Sequence, residues 1–221
     1  MSRREILVRE IEGFVPYDVG RAMQLDAVAA RSKGGEQDTL FLLEHAPVVT
    51  LGRNASEAGV VATAEELERA GIDVRRSERG GQATYHGPGQ IVGYPIVDLK
   101  ALRLGVAAYV RGLEETMIRA AGAFGVLAGR REGIVGVFAD TGRGPKIGAI
   151  GVRVSRGIAF HGFAFNVAPN LDHYRYIVPC GLTAVGVASL ASILGAPPPL
   201  AAVREALVAA FAETFGVTPI R

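Results

Sequence analysis

The sequence predicts one α/β domain in which a mixed, largely antiparallel sheet is packed against helices. Stretches with strand-like patterns outnumber helical ones, and several of them are separated only by short turns, so strand and helix do not alternate strictly. No linker-like segment or internal repeat divides the 221 residues, of which 49% are hydrophobic. That composition is sufficient for a sizeable core. We therefore expect residues 1–221 to form a single domain.

The first hundred residues are predicted to contain most of the strands. After Pro16, apolar residues recur at helical spacing, which predicts a helix through Val19, Met23, Ala27 and Ala30. Residues 64–70 are predicted to form a short helix that ends at Gly71. Strands are expected at residues 6–11, 39–44, 48–51, 74–76 and 90–99, the second and third being joined by His45, Ala46 and Pro47.

The second half is predicted to contain two long helices, one short helix and three strands. Residues 106–123 show the clearest helical stripe, formed by Val106, Tyr109, Val110, Leu113, Met117 and Ala121. Strands are expected at residues 134–138, 146–154 and 158–167, with a tight turn between the last two. A short helix is predicted at residues 190–194. The final helix follows the proline run at residues 197–199, with Leu200, Val203, Leu207, Phe211 and Phe215 on one face.

Charge and hydropathy exclude several classes of protein. The net charge of +2 is too small to indicate a nucleic-acid partner. The longest weakly polar stretch, residues 181–196, contains Thr, Ser and Gly and is too short to span a bilayer. The first residues are charged rather than typical of a signal peptide, and the single cysteine allows no internal disulfide. We expect a cytoplasmic chain that binds neither nucleic acid nor membrane.

The most informative segment is the glycine-rich run at residues 79–90, Arg-Gly-Gly-Gln-Ala-Thr-Tyr-His-Gly-Pro-Gly-Gln. Glycines let backbone N–H groups approach a ligand, and the interspersed polar side chains can orient it. The run lacks the Lys-Ser/Thr ending of a phosphate loop and leads into a strand rather than a helix. It therefore predicts the wall of a binding site that is not a standard nucleotide site.

Cys180 is a candidate nucleophile. It lies between Pro179, which fixes the approach of the chain, and Gly181, which leaves the following amide accessible. The alternative is that Cys180 is a small buried residue, the usual position of a lone cysteine. The sequence leaves both interpretations open.

Lys146 is a candidate partner for that thiol. Lys33, Lys100 and Lys146 are the only lysines among 24 basic residues, and Lys146 lies where a glycine-rich loop enters a predicted strand. A lysine can release a proton near neutral pH, which an arginine cannot. An ammonium beside a thiol also favours the thiolate. The alternative is an ordinary solvated loop lysine.

The four histidines do not predict a metal site. No pair has helix-face ligand spacing, and one cysteine cannot build a zinc signature. His86, within the glycine-rich run, is the best ligand-contacting candidate. His161 begins the segment 161–166 within the predicted strand 158–167, in which alternate residues are expected to face opposite sides. One of these sides can border an apolar pocket, although a hydrogen-bonded structural role for His161 is equally compatible. His45 and His173 carry no special signal.

Three blocks of the sequence together resemble the lipoyl(octanoyl) transferases. The first contains Arg79, Gly80, Gly81, Thr84, His86, Gly89, Gln90 and Tyr94 at the spacing of that family. The second runs from Lys146 to Gly151 and is followed by His161-Gly162-Phe163-Ala164-Phe165-Asn166-Val167. The third is Pro179-Cys180-Gly181. They occur in the family's order through about half of the chain.

This resemblance implies both a fold and a reaction. The fold is that of the biotin and lipoate protein ligases. The reaction transfers octanoyl from an acyl carrier protein to a lysine on lipoyl domains of 2-oxoacid dehydrogenase complexes and on the glycine cleavage H protein, without cofactor or metal. It implies that Cys180 takes the acyl group as a thioester and that Lys146 is its partner. The implied acyl site consists of Arg79, Gly80, Gly81, Gln82, Ala83, Thr84, Tyr85, His86, Ala149, Ile150, Gly151, Gly162, Phe163 and Ala164.

Three other functions are compatible with parts of this pattern. A lipoate or biotin protein ligase of the same fold would activate a free acid with ATP and would not require Cys180. A cysteine hydrolase would use Cys180 with His86 or His161 and release free octanoate, but it would have no need of Lys146. A non-catalytic module would bind acyl carrier protein without acquiring a covalent acyl group.

Overall fold

The structure is a computed structural model that describes residues 4–34, 37–178 and 186–221. Its strands are β1 (Arg4–Val15), β2 (Asp38–His45), β3 (Val48–Leu51), β4 (Asp73–Arg76), β5 (Ala83–His86), β6 (Gln90–Asp98), β7 (Ala128–Arg131), β8 (Ile134–Ala139), β9 (Lys146–Ser155), β10 (Ile158–Asn166) and β11 (Val217–Ile220). Its α-helices are α1 (Tyr17–Ser32), α2 (Ala64–Arg69), α3 (Val106–Gly122), α4 (Leu190–Leu194) and α5 (Leu200–Phe215).

Eight strands form one mixed sheet in the order β11-β1-β2-β6-β10-β9-β8-β7. Strand β1 pairs in parallel with β11 and β2, and each remaining neighbouring pair is antiparallel. Helix α1 makes the crossover between β1 and β2 that a parallel pair requires. The predicted α/β class with a mixed, largely antiparallel sheet is confirmed.

A second, three-stranded sheet has the order β4-β3-β5. Strand β3 follows β2 through the predicted connection but leaves the large sheet, which the sequence did not indicate. Strand β5 was not predicted, because it lies inside the glycine-rich run and is only four residues long. Its pairing with β3 supplies backbone partners to residues 83–86 of that run.

Helices cover both faces of the large sheet. Helices α3 and α5 pack on one face, where Leu113, Met117 and Phe211 belong to the largest hydrophobic cluster. Helix α1 covers the other face, where Ala27 packs with Phe41 and other strand residues. In the predicted stripe of α3, Tyr109, Leu113, Met117 and Ala121 are buried and Val110 is half-buried, whereas Val106 at the first turn is exposed. None of the described helices combines the length and apolar character needed to cross a membrane.

Two strands at the edges of the large sheet were missed by the sequence analysis. Strand β7 has the sequence Ala-Gly-Arg-Arg, and β11 the sequence Val-Thr-Pro-Ile. Neither shows a clear apolar alternation, since an edge strand is paired on one side only. Proline is tolerated there for the same reason. Tertiary pairing with β8 and β1 therefore determines these two strands.

Leu113→Ala tests the packing of α3 on the sheet. Its side chain is 0% exposed in the core, so the substitution should lower the free energy of unfolding by about 2–5 kcal/mol, as cavity-forming changes do. Chemical denaturation followed by circular dichroism measures this. The control is Leu127→Ala, at a residue that is 71% exposed, with an expected change below about 0.5 kcal/mol. Equal losses in the two variants would contradict the assigned core.

Candidate active site

A cavity of about 420 Å³ lies between the glycine-rich run and strands β9 and β10. Its lining is largely apolar, with Val92, Ile134, Ile150 and Phe163 among the contributors. Of the sixteen predicted site residues, these line it: Arg79, Gly80, Gly81, Gln82, Ala83, Thr84, His86, Lys146, Ala149, Ile150, Gly151, Gly162, Phe163 and Ala164. The structure thus brings together residues from three separated parts of the chain.

Tyr85 does not line this cavity. Its hydroxyl lies 2.8 Å from His173 Nδ1, and its ring packs edge-on against Tyr174. Burial raises the pKa of Tyr85 to about 12. Tyr85 belongs to the hydrophobic cluster around the small sheet, because side chains alternate along β5 and its neighbours Thr84 and His86 reach the cavity instead.

The Arg79 side chain fixes the shape of the glycine-rich run. Its guanidinium donates to the carbonyl oxygens of Thr50 at 2.8 Å, Gln82 at 2.9 Å and Gly80 at 3.0 Å. It also donates to the hydroxyl of Thr50. A guanidinium presents several donors in one plane, so a single side chain can bind several carbonyls. Arg79 therefore ties the loop to β3 as well as lining the cavity.

Strand β9 approaches this loop closely at Gly151. The Gly80 N–H donates to the Val152 carbonyl at 3.0 Å. A β-carbon at Gly151 would lie 2.9 Å from both Arg79 Cδ and the Gly80 carbonyl oxygen. Only glycine fits this contact without displacing the loop. The second predicted block thus supplies a close backbone approach.

A hydrogen-bond network fixes the ring of His86 in the cavity wall. His86 Nδ1 lies 2.7 Å from Gln90 Oε1, which makes Nδ1 the donor. Gln90 Nε2 donates to Asn166 Oδ1 at 2.9 Å and to the Tyr174 hydroxyl at 3.0 Å. Desolvation, reinforced by the neighbouring charge of Arg79, holds the pKa of His86 well below 6.5. His86 is therefore a neutral, oriented imidazole.

His161 is buried where the pairing of β10 with β6 is interrupted, while its pairing with β9 continues. Its φ of 56° is in the left-handed region, and its N–H donates to Gln24 Oε1 at 2.8 Å rather than to the sheet. Burial lowers the pKa of His161 to about 4, although Glu78, 4.0 Å away, opposes this effect. His161 and the next three residues all line the cavity, so the strict alternation expected for this strand does not hold here.

His45 and Tyr94 form a contact that the sequence analysis did not detect. His45 Nδ1 donates to the Val15 carbonyl at 2.7 Å, so His45 Nε2 accepts from the Tyr94 hydroxyl at 2.7 Å. Desolvation lowers the pKa of His45 to about 4. Tyr94 lines the cavity, and His45 fixes its hydroxyl. No local pattern indicates this role, because His45 and Tyr94 are 49 residues apart in sequence.

Lys146 is the first residue of β9 and is only 8% exposed. Its ammonium donates to the Val135 carbonyl at 3.0 Å and lies 5.1 Å from the centre of the Phe138 ring. It is therefore not the solvated loop lysine of the alternative interpretation. The guanidinium of Arg131 donates to the carbonyls of Gly142, Arg143 and Gly144, which holds the loop that leads into Lys146.

Cys180 lies in residues 179–185, outside the described residues. The chain on either side is tied to the site region by backbone hydrogen bonds. Before the segment, the Val178 N–H donates to the Gly59 carbonyl at 2.9 Å. After it, the Lys146 N–H donates to the Gly186 carbonyl at 2.9 Å. Among the described residues, no cluster of His, Asp and Glu side chains is suited to hold a metal ion.

Comparison with known proteins identifies the family of this chain. The lipoyl protein ligase A/B catalytic domain matches residues 16–212. The chain belongs to this family. A protein named octanoyltransferase in Chloroflexus aggregans is 44% identical over 209 residues, covering 94% of both chains. Another, from Koribacter versatilis, is 46% identical over 185 residues, covering 83% of this chain and 74% of its own. The predicted resemblance is confirmed.

Solved structures of this lipoyl ligase family and of its wider fold agree with the architecture. A putative lipoate protein ligase from Thermoplasma acidophilum superimposes with a TM-score of 0.72 at 18% identity, covering 99% of this chain and 88% of its own. Biotin protein ligase from Aquifex aeolicus gives a TM-score of 0.54 at 10% identity, covering 96% of this chain and 70% of its own. The predicted biotin and lipoate ligase-like fold is confirmed.

Arg79→Lys tests whether the guanidinium organises the glycine-rich run. A lysine cannot replace the planar set of donors, so the free energy of unfolding should fall by about 1–3 kcal/mol as carbonyls lose partners. Hydrogen exchange of the Gly80 amide, which bonds to Val152, should become faster. Arg53→Lys, at an exposed residue, is the control. Unchanged exchange at Gly80 in Arg79→Lys would contradict this role.

The buried His45 should make stability depend on pH. Above pH 6.5 the imidazole is neutral in both the folded and the unfolded state. As the pH falls, the unfolded chain binds a proton that the folded chain does not bind until about pH 4. Stability is therefore lost across this window, by up to about 3 kcal/mol from this group.

Denaturation at pH 7 and at pH 4.5 checks this expectation. Because other buried histidines shift in the same direction, the comparison is between wild type and His45→Gln, which should lose less stability on acidification. His173→Gln is the control, since its side chain is partly exposed and its pKa is lowered less far. The same loss in His45→Gln as in wild type would refute the assignment.

Proposed function

We propose that this chain transfers an octanoyl group from octanoyl-acyl carrier protein to a lysine of lipoyl domains, through a thioester on Cys180. Membership of the family supports the more general part of this proposal, that the chain is an acyltransferase for lipoyl or octanoyl groups. The more specific part, transfer through a Cys180 thioester, is supported above all by the buried ammonium of Lys146 at a largely apolar cavity. We further propose that residues 1–221 act as one catalytic domain, since β1 and β11 pair in one sheet.

The cavity has properties suited to an acyl chain. Its volume of about 420 Å³ is within the usual range for small-molecule sites, roughly 300–1,000 Å³. Val92, Ile150 and Phe163 offer apolar surface, and each buried methylene of an acyl chain contributes about 0.8 kcal/mol. An eight-carbon chain can therefore be selected by apolar contact alone.

The connections of Lys146 support its partnership with Cys180. The backbone of Lys146 pairs with the chain that follows the segment containing Cys180: its N–H donates to Gly186, and its carbonyl accepts from Ala188 at 2.9 Å. Tyr174 and Val187, on either side of that segment, both line the cavity. Cys180 follows Tyr174 by six residues and precedes Val187 by seven in the sequence, a separation that is compatible with the proposed access of its thiol to the cavity.

In the proposed first step, the Cys180 thiolate attacks the thioester carbonyl of the acyl carrier. The bond to the carrier sulfur breaks, and the departing thiolate takes a proton from the Lys146 ammonium. One thioester replaces another, so this step changes the free energy little. Splitting the reaction allows two large protein partners to use one site in turn.

In the second step, a lysine amine of the lipoyl domain attacks the Cys180 thioester. Its proton passes to the neutral Lys146 amine, and the Cys180 thiolate departs, which restores the starting charges. The product is an amide, so this step is downhill without ATP. The acceptors are lipoyl domains of 2-oxoacid dehydrogenase complexes and the glycine cleavage H protein. A reducing cytoplasm would keep the thiol available.

Intact mass spectrometry under denaturing conditions tests the covalent intermediate. After mixing with octanoyl-acyl carrier protein, the wild-type chain should gain one octanoyl group and lose it when a lipoyl domain is added. Cys180→Ala should gain none and should transfer at least about a thousandfold more slowly, as expected when a covalent nucleophile is removed. Transfer by Cys180→Ala at the wild-type rate would refute the proposal.

Further measurements with other variants and substrates distinguish the competing functions. Lys146→Arg keeps the positive charge but cannot release a proton, so acyl-enzyme formation and its discharge should both be slow. Product that forms only with free octanoate and ATP, and survives Cys180→Ala, would indicate a ligase. Release of free octanoate without an acceptor would indicate a hydrolase, and binding of the carrier without any adduct would indicate a non-catalytic module.

A further inference from the structure

One peptide group connects Lys146 to a buried carboxylate outside the cavity. The carbonyl of Val135 accepts from the Lys146 ammonium at 3.0 Å. The N–H of the same peptide bond, which belongs to Gly136, donates to Glu114 Oε1 at 3.0 Å. A planar trans peptide directs its C=O and N–H to opposite sides. Fixing the N–H on Glu114 therefore fixes the direction of the carbonyl toward Lys146.

The Val135–Gly136 peptide takes no part in the regular strand pairing of β8. Strand β8 pairs with β9 at Val137, and it pairs with β7 at Ile134. Neither register includes Val135 or Gly136: they fall between Ile134 and Phe138 in the pairing with β7, and before the first paired residue, Val137, in the pairing with β9. A peptide group without a ladder partner needs other partners when it is buried. Glu114 and Lys146 supply them.

Gly136 leaves space for the lysine side chain. Its φ of 133° favours glycine. A β-carbon there would lie 3.0 Å from Lys146 Cε and 3.1 Å from Nζ. The absence of a side chain at this position thus lets the ammonium reach the Val135 carbonyl.

Glu114 is itself held in one orientation. It lies on α3, is 6% exposed, and accepts from Arg130 Nε at 3.0 Å through its second oxygen. Arg130 also donates to Glu115 and to the carbonyl of Arg111. A buried carboxylate without such partners would be strongly unfavourable. Since Glu114 does not line the cavity, it has no direct access to an acyl group there.

We propose that Glu114 is a positioning residue for Lys146, acting through the Val135–Gly136 peptide. A carboxylate that accepts from the N–H polarises the peptide and strengthens its carbonyl as an acceptor. The effect of Glu114 on catalysis rests on the proposed function. Its effect on the position of the Lys146 ammonium can be tested separately.

Amine labelling tests the geometric part without any turnover. The chain has three lysines, and Lys33 and Lys100 are exposed, so they serve as internal references for isotope-coded acetylation followed by peptide mass mapping. In Glu114→Ala, labelling of Lys146 relative to these references should rise roughly tenfold, because the Val135 carbonyl is no longer held toward the ammonium and their hydrogen bond weakens. Glu114→Gln should rise less, since its amide oxygen can still accept from Gly136. Unchanged labelling in Glu114→Ala would overturn the proposal.

The matched control is Glu115→Gln. Glu115 is the next residue on α3 and also binds Arg130, but it makes no contact with Gly136. Its substitution should leave both Lys146 labelling and turnover unchanged. A rise in labelling equal to that of Glu114→Ala would show that Arg130, not the peptide, controls Lys146 and would overturn the proposal. Thermal unfolding of each variant shows whether it is folded. If Glu114→Ala is unfolded, the labelling of Lys146 in Glu114→Gln tests the proposal instead.

Steady-state kinetics tests the catalytic consequence. In octanoyl transfer, Glu114→Ala should lower kcat roughly tenfold by misplacing a reacting group, with KM for donor and acceptor unchanged, and Glu114→Gln should recover part of the loss. Raised labelling with an unchanged kcat would overturn the positioning role in catalysis. Raised labelling in a protein whose wild type transfers no octanoyl would support the geometry and refute the proposed function instead.

Discussion

The hydrogen bonds of the Arg79 guanidinium determine how the two sheets meet around the cavity. A loop rich in glycine has little conformational preference of its own, so its shape must be imposed by contacts. Arg79 supplies them by binding carbonyls of Thr50, Gly80 and Gln82 at once. With the loop held in this shape, Gly80 can pair with β9. The cavity wall therefore depends on one buried cation whose donors are satisfied by backbone dipoles.

The cavity wall combines two buried cations, Arg79 and Lys146, with neutral imidazoles in it or beside it. His45, His86 and His161 are all buried, and desolvation lowers the pKa of each. Hydrogen bonds to Tyr94 and Gln90 orient two of these rings without charging them. The neutral imidazoles and the apolar side chains of the wall are compatible with an apolar acyl chain. Lys146 is only 8% exposed, and electrostatic interactions are stronger in such a partly desolvated place than in bulk water.

The fold was largely predictable because its long elements have clear periodicity. Residues 106–123 and 158–167 matched α3 and β10 to within one residue, since one face of each is buried against the sheet. Strands β5, β7 and β11 were missed because they are four residues long and their pairing partners are distant in sequence. Local propensity contributes little to such short strands, and long-range pairing decides them. The small sheet was unpredictable for the same reason.

The sequence by itself determined the chemical composition of the site: the glycine-rich run, Lys146 as a rare lysine among arginines, Cys180 between proline and glycine, and the family to which these motifs belong. Only the tertiary structure decided which side chains share a space. It directs Tyr85 away from the cavity, pairs His45 with Tyr94, and places Glu114 behind the peptide that receives the ammonium of Lys146. The physical reason is that these contacts join residues far apart in the chain, and their geometry depends on strand register and burial, which no local pattern encodes.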